Sequence, residues 1–396
     1  MLAERARALT GSQTSGMRNR AHKLRAQGVQ IINFAAGELG QDTSPMIKDA
    51  VRRAIDDGRT QYSDTLGMRE LREALARKVS QKTGVAYSAS EVGFTGGAKQ
   101  ALFNAAFVVF QPHDEVIIPA PFWVTFPEQV RLAGATPVIL PTAEHGFQID
   151  TGELASVITP RTRGIIINTP HNPTGVVYTA GVLKEIAALA LQHELICIFD
   201  ECYDELVYAP AVHYNIVKLV PEMKSRAILI GSFSKTYCMA GWRAGFVAAP
   251  QAILTAIANL QSHTTSNACN LAQYAALAAL DPANDAFVAK VRAQLQGQRE
   301  TALQLFERIP HVSCLRPDGA FYLFPDVSGL LNRSFGGQRV GNVDHLAELL
   351  LEQAHIAVVP GSAFGAEHHI RISYAIPPEE IIAGLTRFER FVHSLT

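Results

Sequence analysis

Three stretches of this chain carry residue types that could do chemistry together. Gly231-Ser232-Phe233-Ser234 runs into Lys235, and Arg243 follows eight positions later. Hydroxyls, turn amides and a guanidinium in one short stretch are what a phosphate dianion requires. A lysine fixed beside a phosphate and an arginine is expected to have a lowered pKa, which makes its amine a nucleophile able to form a Schiff base. The second stretch is Asp200-Glu201-Cys202-Tyr203, and the third is Asn168-Thr169-Pro170-His171-Asn172-Pro173-Thr174-Gly175. A further anion site is offered where Gly96-Gly97-Ala98 opens a helix, because free N–H groups and the helix dipole favour negative charge there. Taken singly, each is ordinary: a strand-end Asp is usually a cap, and NPTG is usually just a turn.

The surrounding pattern says what holds these stretches. Short apolar, β-branched runs occur at Val116–Ile118, Pro137–Leu140, Gly164–Asn168, Leu195–Asp200, Arg226–Gly231 and Gly245–Ala248, several separated by helical patterns such as Val182–His193. Runs apolar at every position indicate strands covered on both faces, hence a largely parallel sheet between helices. All three polar stretches follow such strands, where ligands of open α/β sheets bind. Ser44-Pro45 predicts a capped helix start, with Ile47, Ala50, Val51, Ala54 and Ile55 at helical spacing until Gly58. Helices are also expected over Met68–Lys82 and Lys99–Phe110.

After about Asp281 the pattern changes to a long helix (Ala286–Glu307), then Gly319–Phe324, a helix near Val343–Ala354, Ala357–Val359 and Ile370–Tyr374. The fold expected is α/β: a large domain with a mostly parallel, seven-stranded-type sheet covered by helices, plus a smaller α+β domain from the N- and C-terminal segments. The expected boundaries are 1–44 and 286–396 for the smaller domain and 45–285 for the larger.

With 396 residues, 48% hydrophobic and 18% charged, the chain can bury a large core. Thirty-five basic and 36 acidic residues give a net charge of −1, which argues against nucleic acid or an anionic membrane as the main partner. Five cysteines, widely spaced and never in CxxC, suggest neither a disulfide framework nor a metal site. The N-terminus, MLAERARALTGSQ, reads as a charged helix with no apolar h-region, and the apolar runs are too short to span a bilayer, so a reduced, cytoplasmic setting is expected.

The residues resemble a known family. Ser-x-Ser-Lys235 followed by Gly241-Trp242-Arg243-Ala244-Gly245 looks like the cofactor-lysine signature of fold-type I pyridoxal-phosphate enzymes, specifically class I/II aminotransferases. The likeness continues in order through Gly37-Glu38, Tyr62, Gly97-Ala98-Lys99-Gln100, Trp123, Asn172-Pro173-Thr174-Gly175, Asp200-Glu201-x-Tyr203 and Arg371 in Arg371-Ile372-Ser373-Tyr374. It implies that Lys235 holds pyridoxal 5′-phosphate and shuttles a proton, and that Asp200 pairs with the pyridine nitrogen. Tyr203 and Asn172 would bond the ring's phenolic oxygen, and Trp123 would stack on the ring. Ser232, Ser234, Arg243 and the turn Gly97-Ala98-Lys99 would hold the phosphate. Arg371 would clamp a substrate carboxylate, with help from Asn172 and the Gly37 backbone. Tyr62 would reach the phosphate of a second subunit, which implies a homodimer with shared active sites.

The activity implied is ping-pong transfer of an amino group from an L-amino acid to a 2-oxo acid such as 2-oxoglutarate. Lys99 sits where prokaryotic aspartate and prephenate aminotransferases often carry a lysine for a second carboxylate, which favours aspartate; it could equally be a solvated first-turn residue. Leu39-Gly40-Gln41 follows Gly37-Glu38 where many relatives have Pro. The expected lid, Gly11–Ser15, lacks a starting arginine, which counts against prephenate. A broad or aromatic transaminase and a carbon–sulfur β-lyase stay open. A regulatory protein on this fold is disfavoured by the neutral charge, and a nicotinamide dehydrogenase by the lack of GxGxxG.

Overall fold

Strands that are apolar at every position must be covered on both sides, and the sheet they build is the centre of this molecule. The computed structural model describes residues 1–3, 6–7, 11 and 13–396. Ser12 of the expected lid lies outside the described residues, as do the side chains of Gln13, Thr14 and Ser15 and, in the expected N-terminal helix, residues 4–5 and 8–10. Near the start, strand β1 (Ile32–Asn33) follows the helix Gln13–Ala26.

The central sheet has seven strands: β2 (Val92–Thr95), β3 (Glu115–Ala120), β4 (Thr136–Pro141), β5 (Thr162–Asn168), β6 (Ile196–Asp200), β7 (Ala227–Ser232) and β8 (Gly245–Ala248). Their order is β2-β8-β7-β6-β5-β3-β4. Every residue of β3 and β6 is buried, as expected for covered strands. Strand β4 differs: it is an edge strand with a largely exposed alternation, and only Leu140 is buried. Strand β8 runs antiparallel to both neighbours. The chain returns to it through the Phe233–Ala244 loop, which contains no crossover helix, and a parallel return would need one.

Helices cover this sheet. Pro45–Asp56 starts at Pro45 as expected, but the Ser44 hydroxyl makes no capping bond. Arg69–Thr83 ends at left-handed Gly84, and Ala98–Val109 begins one residue earlier than the sequence pattern suggests. Helices at Thr125–Leu132, Gln251–Ser262 and Asn270–Ala279 were not evident from periodicity. The last two are rich in Ala and Leu around most of their circumference, which blurs the apolar stripe.

Beyond residue 285 come the long helix Asp285–Phe306, strand β9 (Tyr322–Leu323), a hairpin of β10 (Ser334–Phe335) and β11 (Gln338–Arg339), and the helix Val343–Gln353. Strands β12 (Ile356–Ala357), β13 (Val359–Pro360) and β14 (Ile370–Ser373) and the helix Pro378–His393 complete the chain. The single strand expected at Ala357–Val359 is two: β12 pairs with β1, while β13 joins the antiparallel sheet β13-β14-β9. Among the described residues no helix is long and apolar enough to cross a membrane.

One close approach matters for the site. Gly97 has φ +88°, a conformation L side chains rarely adopt, and Gly245 of β8 lies directly against this turn. A Cβ at Gly245 would overlap the Ala98 amide and come within 2.9 Å of the Gly97 Cα. Gly245→Ala should therefore lower the urea midpoint by an amount equivalent to about 2 kcal/mol, because neither backbone can yield without moving β8 or the helix start.

Candidate active site

The sheet register brings the chemistry together. Asn168 of β5 is paired with Asp200 of β6, and Asp200 with Ile230 of β7, so three adjacent strands end at one edge. Their following loops converge on a cavity of about 530 Å³. It is lined by Gly37, Ala98, Lys99, Trp123, Asn172, Asp200, Tyr203, Ser232, Ser234, Lys235, Arg243 and Arg371, all singled out from the sequence. Gly97 does not line the cavity itself but packs behind Arg243, whose Nη2 would lie 2.6 Å from a Cβ placed there.

Lys235 projects into this cavity. Burial, followed by the cations of Arg371 and Arg243, outweighs the opposing effect of Cys202 and Glu38 and lowers its pKa to about 8. The Nζ donates to the Gly37 carbonyl and stands 5.7 Å from the centre of the Phe321 ring. The nucleophilic, unprotonated form is a minority near neutrality but is far more abundant than for an ordinary lysine. The loop around it is internally braced: the Ser234 amide donates to the Ser232 hydroxyl at 3.1 Å, and the Met239 amide to the Ser234 carbonyl at 3.1 Å.

Asp200 is 4% exposed. Burial pushes its carboxyl up to about 6, although the Cys202 amide donates to it at 3.0 Å. No cationic side chain of the protein pairs with it among the described residues. A buried carboxylate in that condition is stabilised by any cationic ligand atom brought beside it.

Two cationic ends flank these groups. At one end, the start of the Ala98–Val109 helix, Ser232, Ser234 and Arg243 face each other, with Arg243 fixed by its bond to the Ala240 carbonyl at 2.9 Å. At the other, Arg371 is 3% exposed. It donates to Asn172 Oδ1 at 2.9 Å and to the Ala35 carbonyl at 3.3 Å, and its guanidinium lies 4.4 Å from the Tyr322 ring and 5.1 Å from that of Phe364. Its Nε is buried with no hydrogen-bond partner among the described residues. A guanidinium buried in this way is not a solvated strand residue, and an anion beside it would offset the cost of its burial. In all, Lys99, Lys235, Arg243 and Arg371 face two carboxylates, Asp200 and Glu38, so the cavity favours anionic ligands.

Other residues fall as follows. Trp123 forms one wall, and the Lys99 Nζ lies 4.8 Å from its ring centre. Lys99 thus borders the cavity from its exposed rim, where burial and Arg243 lower its pKa. Tyr62 is 90% exposed and is not part of the wall. Sequence reasoning missed Tyr322 and the cavity-facing position of Cys202. Nothing local marks Tyr322, whose partners are 119 and 49 positions away. His171 is used structurally: its Nδ1 bonds the Thr174 hydroxyl at 2.7 Å, and burial lowers its pKa to about 4.

A sheet edge of this kind gathers a neutral-prone lysine, a buried carboxylate and two arginines into one cavity. Residues 29–388 match the family "Aminotransferase class I and II". The chain is 40% identical to the probable aspartate/prephenate aminotransferase of Aquifex aeolicus, over 100% of this chain and 99% of that one. It is 39% identical to the aspartate aminotransferase of Geobacillus stearothermophilus, over 99% of each. Among solved structures, aspartate aminotransferase from Rhizobium meliloti superposes with a TM-score of 0.96 at 33% identity, covering 100% of both chains. The Thermus thermophilus enzyme with maleate gives 0.93 at 36%, covering 99% of each. The chain therefore belongs to the class I and II aminotransferases, transaminases of fold type I.

Two outcomes follow from the electrostatics. Amine-specific labelling of Lys235 in the cofactor-free protein should rise with a midpoint near pH 8, not near the ordinary lysine value, as followed by peptide mass spectrometry. For Asp200 the folded pKa lies above the unfolded one, so its contribution to stability is full below pH 4 and is lost as pH rises through about 6. Asp200→Asn should thus raise the melting temperature of the cofactor-free protein at pH 8 and leave it little changed at pH 4.

Proposed function

We propose that this transaminase uses pyridoxal 5′-phosphate to move the amino group of aspartate, or a similar L-amino acid, to a 2-oxo acid such as 2-oxoglutarate. The observation that carries the reading is one cavity holding a deprotonatable Lys235, a buried unpaired Asp200 and the unmet Nε of Arg371. Their charges and positions fit the group: an aldehyde can be met by the amine, a ring nitrogen by the carboxylate, and a phosphate by Ser232, Ser234, Arg243 and the amides of Ala98 and Lys99. When bound, the cofactor supplies an electron-accepting ring conjugated to the substrate carbon.

The protein's residues do the rest. Arg371, with Asn172 and the Gly37 backbone, would hold the substrate α-carboxylate and so fix the orientation of the bonds at Cα. Lys235 Nζ takes the Cα proton and returns it elsewhere, a task suited to a pKa near 8. Asp200 keeps the ring nitrogen protonated, while Tyr203 and Asn172 donate to the ring oxygen. Trp123 and Leu102 shield the face from water. Lys99 at the rim is placed for a second carboxylate, which supports aspartate as donor, in keeping with the names of the relatives.

We further propose that the chain works as a cytoplasmic homodimer, with the exposed Tyr62 reaching a second copy's phosphate. Residues 1–44 and 286–396 form the smaller of two domains and 45–285 the larger. Pairing of β1 with β12, and the bonds from Arg20 to Glu348 and Glu352, support joining the two ends of the chain.

Borohydride treatment of the reconstituted protein should fix the cofactor on Lys235, as mapped by mass spectrometry; a label on another lysine would refute the assignment. Lys235→Ala should abolish turnover. Arg371→Lys, which loses the planar two-point grip, should lower kcat/KM for aspartate about 10- to 100-fold. Release of pyruvate and ammonia from cystathionine, without amino transfer from aspartate to 2-oxoglutarate, would favour a β-lyase instead.

A further inference from the structure

Two buried phenols meet in the cavity wall. Tyr203, in the loop after β6, and Tyr322, on β9, are 5% and 1% exposed, and their hydroxyls are 3.0 Å apart. Burial raises both pKa values, so each phenol keeps its proton. One O···O contact uses one proton, and the pair therefore has one left to donate elsewhere. Which phenol spends its proton on the contact decides which of them can donate to a ligand.

The surroundings are not symmetric. The Arg371 guanidinium lies on the Tyr322 ring at 4.4 Å, and after burial it is the strongest influence on that hydroxyl, pulling its pKa down. On Tyr203 the same cation is the weakest of the named influences. Either hydroxyl can donate in this contact, and the Arg371 cation lying on the Tyr322 ring makes Tyr322 the better donor of the two.

Tyr322 is also held from behind. Ala320, two residues earlier, adopts a left-handed conformation at φ 57°. Its carbonyl accepts bonds from the hydroxyls of Tyr208 and, at 3.2 Å, Tyr374. The fully buried Arg299 stacks on the Tyr208 ring at 4.5 Å and donates to the Pro317 carbonyl at 2.6 Å. Tyr322 itself is paired with Ser373 of β14, two residues from Arg371. This support fixes the backbone from which the phenol projects.

We propose that Tyr322 is a positioning residue: it donates its proton to the Tyr203 oxygen, frees the Tyr203 proton for the ring oxygen of the bound cofactor, and ties that donation to the charge on Arg371. The proposal rests on the roles given above to Tyr203 and Arg371. It makes Tyr322 a bridge between the carboxylate clamp and the cofactor. When a substrate carboxylate neutralises Arg371, Tyr322 becomes a weaker donor, and Tyr203 in turn donates less strongly.

The test is a pH titration of the visible absorbance of the lysine-bound cofactor, without turnover. It compares wild type, Tyr322→Phe, Tyr203→Phe and the double variant, each with and without maleate, a dicarboxylate that has no amino group to transfer. Tyr322→Phe keeps the ring and should raise the apparent pKa by about half to one unit, because donation to the ionised ring oxygen weakens. The double variant should shift no further than Tyr203→Phe alone, and the maleate-induced shift should shrink in Tyr322→Phe. Coincidence of Tyr322→Phe with wild type, or full additivity in the double variant, would overturn the proposal. Borohydride mapping on the same samples separates this from failure of the functional reading: absence of label on Lys235 would defeat that reading itself.

Discussion

Everything at this site depends on keeping an amine and a carboxylate poorly hydrated at the ends of neighbouring strands. Neither Lys235 nor Asp200 would have a perturbed pKa in water, and both shifts have burial as their first cause. That burial is a property of the sheet, not of the loops. Because β5, β6 and β7 are covered by helices on both faces, their polar terminal residues open into a space already walled by Trp123, Leu102 and Tyr203. The cost of placing unpaired charge there is offset when a ligand of opposite charge arrives, which is how a stable fold can store selectivity.

Much of this was legible in the sequence because the signals are local. A strand, its terminal polar residue and the turn after it lie within about ten positions, so Asp200, Asn172 and Lys235 could be placed at one edge once a parallel sheet was inferred. The glycine turn before Ala98 was visible for the same reason. What escaped was set by contacts between distant segments. Strand β2 is four residues long and contains Gly93, which leaves almost no periodic signal. The reversal of β8 follows from the absence of a helix in Phe233–Ala244, and that absence is hard to see in a stretch containing Tyr237, Met239 and Trp242. The exposed face of β4 lies at the sheet edge, a place that no local pattern reveals.

The same contrast applies within the site. Arg371 drew notice as a charge between two isoleucines, and the structure supplies its partners from Asn172 and Ala35, 199 and 336 positions away. Tyr322 has no comparable signature: an aromatic in Gly-Ala-Phe-Tyr-Leu-Phe reads as core, and by exposure it is core. Only the meeting of its hydroxyl with Tyr203 and of its ring with Arg371 separates it from Phe321 beside it. A polar atom on an otherwise apolar side chain is where sequence patterns carry least information and three-dimensional packing carries most.

The stitching of both chain ends into the clamp bears on how the enzyme comes into being. The Ser373 amide bonds the Phe34 carbonyl at 2.9 Å, and β1 pairs with β12. During synthesis the sheet that anchors Lys235 is complete soon after β8 emerges, whereas residues 32–36 must wait for more than 300 further residues before their partners exist. The strands that carry Lys235 and Asp200 can therefore pair before the segments that hold Arg371 in place have all been made, and the wall formed by Gly37, Tyr322 and Arg371 closes last.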